Sequence, residues 1–333
     1  FKNKIVMSRI TFRPLYFLSL AIPFSVIFGN YFGGLYVGAS VFLGLVIFPL
    51  LDLLWGKGLD ENPEDASPFF FDFILYSHVF LQFIALGTFF YFVMSEPDLS
   101  LLILATLSTG LSTGISGIVV AHELIHRKGI PKYCGYLLLW SATYMHFESE
   151  HVQGHHKYVG TDLDPASARA SEGLQYFFLR TVPQQFISSW EIASKRSNSV
   201  IFHSAALFLL IEISTLLVLY FLFGSLIFFA FLGQCLVAIY LLEYVNYIRH
   251  WGLRREAKDR ITPQTSWQSN ARLSRYVLVE LTRHADHHLF ANRPYQSLRS
   301  YEDAPNLPTG YFGCFYLAIL PPLWKRVMTP RLP

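Results

Sequence analysis

Four short stretches hold nine of the twelve histidines in this 333-residue chain: "HELIH", "EHVQGHH", "NYIRHWGL" and "RHADHH". The nine are His122, His126, His151, His155, His156, His250, His284, His287 and His288. Neutral imidazoles aimed at a common point make a metal site. Residues at i, i+3 and i+4 share a helix face, so the spacing predicts that His122 points with His126, His151 with His155, and His284 with His287 and His288. A structural zinc ion is satisfied by four ligands, so nine imidazoles imply two metals. The three cysteines, Cys134, Cys235 and Cys314, are scattered and suggest no thiolate site. Imidazole suits zinc, copper, iron and nickel alike, so ligand chemistry alone does not choose among them. Of the other three histidines, His78 and His203 read as hydrogen-bonded core or interface residues. His146 lies close to the cluster and reads as a neighbour of the ligands rather than one of the nine.

The elements that must position these residues are apolar. The chain is 53% hydrophobic and only 15% charged, against about 25% charged in an average soluble domain. No Asp, Glu, Lys or Arg lies between Arg13 and Asp52, a stretch long enough for two crossings at about 20 residues each. Six segments meet the length test: Pro14–Tyr31, Leu35–Trp55, Phe69–Met94, Leu99–Ala121, Val200–Phe221 and Ser225–Asn246. The first is too long for a cleavable leader, and no small-residue cleavage pattern precedes the second. Gly110, Gly114 and Gly117 are expected on one side of the fourth span, either for close helix packing or as a cleft wall. Glu212 sits midway along the fifth, where a carboxyl is costly.

Six spans place the turns near 30–34, 95–100 and 222–224 on one side, and all 26 Lys and Arg on the other. The positive-inside rule makes that second side cytoplasmic. All four histidine stretches then reach the cytoplasmic face, an outcome that follows from Lys and Arg alone. The expected architecture is an all-α integral membrane protein of six transmembrane helices, with both termini cytoplasmic. A mainly helical cytoplasmic cap carries the histidine cluster. Residues 1–126 supply four helices, 127–199 a cytoplasmic segment with the second histidine stretch, 200–249 helices five and six, and 250–333 a C-terminal cytoplasmic segment. All four parts form one unit. Arg254, Arg255 and Lys258 are a basic stretch expected to suit an acidic partner. Nucleic acid is not among the expected partners.

Taken together, the stretches HELIHR, EHVQGHH, NYIRHWGL and LTRHADHH resemble the histidine boxes of the membrane-bound alkane 1-monooxygenase (alkane hydroxylase) family. "DPASAR", "YQSLR", "LPTGY" and "PPLWKRVMTPR" fit as well, so the resemblance is closest over about residues 120–331. It implies a non-haem diiron centre whose two iron ions are held by the nine histidines. It further implies O2 activation, oxidation of the terminal methyl of a medium- to long-chain alkane drawn from the bilayer, and a bacterial inner-membrane location. Electrons would come from rubredoxin and its NAD(P)H-dependent reductase. No C-x-x-C pair lies within these residues, so a rubredoxin is not fused here. Arg249 departs from the family, which usually has Glu before the lone histidine. The groups expected to orient imidazoles from behind are Glu123, Glu150, His146, Glu243 and Asp286.

Four other readings compete. "HELIH" matches the zinc-protease pattern H-E-x-x-H, but it continues a membrane span and leaves the remaining histidines without a role. Xylene-type methyl hydroxylases carry related boxes. Membrane fatty acyl desaturases and hydroxylases typically show H-x-x-H-H in the second box, where this chain has H-x-x-x-H-H. A metal transporter predicts ionisable residues along several spans rather than a cluster at one face.

Overall fold

The computed structural model describes residues 13–62 and 67–333. Regular structure among them is helical, and extended pairing is confined to two isolated bridges, Lys57 with Ala271 and Gln268 with Asn306. In chain order the helices are α1 (Arg13–Phe32), α2 (Gly34–Leu54), α3 (Pro68–Ser95) and α4 (Leu99–Ile125). Then come α5 (Ile130–Trp140), α6 (147–158), α7 (Leu174–Ser197) and α8 (Ser204–His250). Four short helices follow: α9 (Arg272–Val277), α10 (His284–Leu289), α11 (Tyr311–Ala318) and α12 (Pro321–Met328). Five of these, α1 to α4 and α8, are long and apolar enough to cross a membrane, and the molecule is an integral membrane protein.

The fifth and sixth expected segments run together as the 47-residue α8, interrupted at Gly224 with φ 87° and ψ 172°. A straight helix of that length would reach about 70 Å at 1.5 Å per residue, more than twice a hydrocarbon core of about 30 Å. Instead its two arms attach to neighbouring residues. Trp140 Nε1 donates to Thr215 Oγ1 (2.8 Å) and Gln234 Nε2 donates to the Ser141 carbonyl (3.0 Å). Thr215 and Gln234 would lie about 28 Å apart on an unbroken helix, so the chain folds back at Gly224. A φ of this sign is one that glycine adopts without penalty.

α4 is the most enclosed span. It begins at Asp98, whose side chain accepts from the N–H groups of Ser100 and Leu101 and so supplies partners for the free amides of the first turn. A Cβ on Gly110 would lie 2.6 Å from Val237 Cβ, and one on Gly114 would lie 3.0 Å from Leu241. These two glycines admit the second arm of α8 to close contact. Gly117 instead faces Gln82 of α3, so the three do not share one side. A widened π-type turn over 113–118 shifts the register between Gly114 and Gly117, which a 3.6-residue repeat does not anticipate.

Several polar groups inside the bundle are paired. His78 bonds Ser116 Oγ (2.5 Å) and Ser19 Oγ (2.9 Å), and His203 accepts from Ala206 N–H at the start of α8. Glu212 accepts from the Met145 N–H at 2.7 Å, fixing the loop that leads into the second histidine stretch. The C-terminal segment is pinned to α2 by Asp52. Its carboxylate accepts from Ser274 N–H (3.0 Å), Ser274 Oγ (2.7 Å) and Phe312 N–H (3.0 Å). A Cβ on Gly310 would stand 2.2 Å from that carboxylate, so only glycine fits.

Candidate metal centre

His122 and His126 end α4, His151, His155 and His156 lie on α6, His250 ends α8, and His284, His287 and His288 lie on α10. The approach to α10 is a tight turn in which Val279 (φ 44°) and Glu280 (φ 59°) both take left-handed backbone, a costly arrangement for residues with a Cβ. Surrounding bonds impose it. Glu280 receives both Arg275 Nε and Nη2 at 2.8 Å and the Tyr16 hydroxyl at 2.7 Å, and its N–H reaches the Arg275 carbonyl at 2.7 Å.

All nine histidines converge, in two groups. The ligand atoms of His122, His126, His151 and His287 lie within 4.8 Å of one another, as do those of His155, His250, His284 and His288. His156 completes the first group, its Nε2 standing 3.1 Å from His151 Nε2 and 3.0 Å from His287 Nε2. The groups abut, with the His151 and His155 rings 5.3 Å apart.

Two of the expected pairings are therefore different. His151 and His155 serve opposite groups, because 150–155 is another π-type turn that brings i and i+5, here His151 and His156, onto one face. On α10, His284 and His288 share a group while His287 turns to the other.

Protons on these rings alone cannot satisfy the arrangement. Nε2 atoms face one another at 2.9 Å between His284 and His288 and at 3.1 Å between His126 and His151. His156 Nε2 has two such neighbours, and the Nε2 atoms of His122, His155 and His250 and Nδ1 of His288 are buried without a partner. Burial pushes His151, His156, His284, His287 and His288 well below the usual histidine range, and brings His126 to about 4. These are neutral imidazoles with lone pairs converging on two points, a donor set that fits two cations.

Among the described residues, side-chain hydrogen bonds from outside reach only the second group. His155 Nδ1 meets Asp164 Oδ2 at 2.9 Å, His250 Nδ1 faces the Thr265 carbonyl at 3.3 Å, and Arg249 Nη1 donates to His284 Nδ1 at 3.0 Å. None of the five groups expected to orient imidazoles makes a side-chain hydrogen bond to any of the nine. Glu123 receives Arg127 and the Tyr295 N–H. Asp286 receives Arg293, the Tyr301 hydroxyl and the Arg299 N–H. Both brace the polypeptide between boxes. Glu150 has no partner on either oxygen, and burial, then Asp164 and Glu243, raise its pKa well above the usual range. His146 packs edge-on against Tyr144 (4.3 Å) and Phe186 (5.3 Å), away from both groups. Glu243 acts at a distance. It accepts from Asn246 Nδ2 (3.1 Å), Asn246 Oδ1 accepts from Arg249 Nη2 (2.8 Å), and Arg249 reaches His284. Asp164 is the orienting group the sequence did not single out; its only signal was its place in "DPASAR".

In the expected docking stretch, the Arg255 guanidinium donates to the carbonyls of Val159, Lys157 and Asp259, each at 2.7 Å. Arg254 donates to the Thr161 carbonyl at 3.2 Å. These two arginines staple the chain after His250 to the loop after His156, while Lys258 is exposed.

An apolar cleft runs along α4 past Leu111, Gly114, Ile115 and Ile118 to His122, with Leu241, Leu242 and Arg249 of α8 opposite. From Leu111 to His122 is about 16 Å of helix, so an apolar path leads from within the bundle to the histidines.

Comparison with known proteins agrees with this arrangement. A family model described as fatty acid desaturase matches residues 98–318. Alkane 1-monooxygenase 2 of Alcanivorax borkumensis is 37% identical over 86% of this chain and 80% of its own length. Alkane 1-monooxygenase 1 of Pseudomonas aeruginosa is 40% identical over 68% of this chain and 62% of its own, so that match spans under two thirds of the relative. The xylene/toluene monooxygenase hydroxylase component XylM of Pseudomonas putida is 26% identical over 95% of this chain. The chain belongs to the alkane 1-monooxygenases, within the wider fatty acid desaturase family that the model describes.

Proposed function

We propose that the protein hydroxylates the terminal methyl of medium- to long-chain alkanes, R–CH3 + O2 + 2e⁻ + 2H⁺ giving R–CH2OH + H2O. Two iron ions would be held by the nine histidines, one by His122, His126, His151, His156 and His287 and the other by His155, His250, His284 and His288. The observation that carries this reading is the meeting of the apolar cleft with the histidine groups at His122.

An alkane offers no polar handle, so recognition rests on shape and burial, at about 0.8 kcal/mol per CH2. The cleft wall supplies that burial and keeps water from the reacting end. When bound, the metal pair supplies the activation of O2. The chain's own task is positioning: Gly114 keeps the cleft open between α4 and α8, and α4 delivers His122 to its end. Asp164 holds the His155 ring with Nδ1 outward and Nε2 toward its group.

The fold-back at Gly224 supports a reading of six crossings, and the distribution of Lys and Arg supports a cytoplasmic side for both termini and the histidines in a bacterial inner membrane. The four parts, 1–126, 127–199, 200–249 and 250–333, work as one catalytic unit, because each histidine group draws on more than one of them. Electrons enter from rubredoxin, served by its NAD(P)H-dependent reductase, on the cytoplasmic surface that carries Lys258, Arg254 and Arg255. The test is to purify the protein, measure iron per chain, and supply reduced rubredoxin with a series of alkanes. Two irons and 1-alkanols are expected; one zinc and no O2 consumption would refute the reading.

A further inference from the structure

The lining of the cleft contains a polar group that an alkane cannot use. Tyr311 opens α11, is 1% exposed, and lines the cleft with His122 and Arg249. Its backbone is fully engaged, the N–H with Ser274 Oγ at 2.8 Å and the carbonyl with the Tyr244 hydroxyl. The side-chain hydroxyl, by contrast, is buried with no hydrogen-bond partner among the described residues. Leaving such a group unpaired is unfavourable, and phenylalanine would serve an all-apolar cleft better.

The positive charge of Arg249 bears on this hydroxyl. Arg249 spends one N–H each on the Val245 carbonyl, His284 Nδ1 and Asn246 Oδ1. A guanidinium has five N–H donors, so two remain. An unpaired hydroxyl and a cation with spare donors thus share the lining of an otherwise apolar cleft with the histidine His122. That constellation matches the oxygenated end of an amphiphile, with its alkyl chain along α4.

We propose that Tyr311, together with the free N–H groups of Arg249, binds the hydroxyl of a primary alcohol, so that 1-alkanols are ligands of this cleft in their own right. The inference rests on the alkane reading for where that hydroxyl is formed. Tyr311 is then a specificity-determining residue for the oxygenated end of the chain, and 1-alkanols compete with alkanes of equal length.

The test uses the metal-loaded full chain in nanodiscs without reductant, so that nothing turns over. Calorimetric titration with 1-octanol and with octane is compared between the wild type and Tyr311→Phe. The substitution removes an atom that no protein group contacts by hydrogen bonding, so an unchanged or raised melting temperature is expected. Affinity for 1-octanol should fall about tenfold, the effect of one hydrogen bond, while octane changes less than about twofold. Equal 1-octanol affinity in the two proteins, or an equal loss for both ligands, overturns the proposal. Within the wild type, 1-octanol should also bind more tightly than 1-chlorooctane, which has the chain but no hydroxyl; equal binding again overturns it. Absence of octane hydroxylation by the reduced wild type would instead refute the function proposed above, whatever the titrations show.

Discussion

In the first histidine group the imidazoles meet one another and little else, whereas in the second three of four are fixed from behind. His126 and His156 of the first are half-buried, and its side-chain hydrogen bonds join ring to ring. In the second every ring is buried, and Asp164, the Thr265 carbonyl and Arg249 hold His155, His250 and His284. Groups behind a ligand set its tautomer and orientation. The second group is therefore positioned by the surrounding chain, while the five imidazoles of the first are positioned mainly against one another.

The largest expected effect tests that difference directly. His155→Ala or His284→Ala leaves three imidazoles in the second group, and should abolish alcohol formation and lower bound iron from two to one per chain. His126→Ala leaves four in the first. Iron content should stay near two while activity falls, as measured by metal analysis beside product yield. Loss of the same iron in all three variants would break the asymmetry.

Asp164→Asn comes next. It keeps the shape but removes the charge that holds His155, and loss of such a partner typically costs 10–100-fold in metal affinity or activity. Metal titration should show one weakened site and one unchanged. Two equally weakened sites would mean that Asp164 supports the whole cap rather than the second group.

A smaller change concerns the cleft shared by both groups. Gly114→Leu should place its side chain against Leu241, which already stands 3.0 Å from a Cβ at that position. Overpacking of this kind costs about 1–3 kcal/mol and narrows the path to His122. Turnover of long alkanes should fall more than that of short ones, read from product distributions, with iron content unchanged.

How much of this was legible in the sequence depends on the range of the interaction. The five membrane-length helices follow from continuous apolarity, and the break at Gly224 falls in the turn expected at 222–224. The convergence of nine histidines follows from topology. Their division into groups does not: a π-type turn at 150–155 replaces the 3.6-residue register from which faces are read, and on α10 His287 turns to the other group from His284 and His288. The orienting groups were hidden for another reason. Asp164 lies nine residues beyond His155 and Arg249 lies 35 before His284, distances that no local pattern encodes. Arg249 was visible as a departure from the family, yet a cation donating to a ligand imidazole is the reverse of the carboxylate expected there.

The smallest effect separates the nine from the lone histidine beside them. His146 is 7% exposed and packs its ring against Tyr144 and Phe186, and burial lowers its pKa to about 4. Between about 4 and the usual 6.5 the unfolded chain binds a proton at this residue that the folded chain does not. Stability therefore rises with pH across that window, and is lost as pH falls below 6.5. His146→Leu removes this liability, so the metal-free variant should gain about 2 kcal/mol over the wild type at pH 5, with much less difference at pH 8. Denaturant unfolding at the two pH values measures it. Iron content should remain at two. Were His146 a tenth ligand, the same substitution would lower iron content instead, and the boundary drawn around the two groups would have to move to include it.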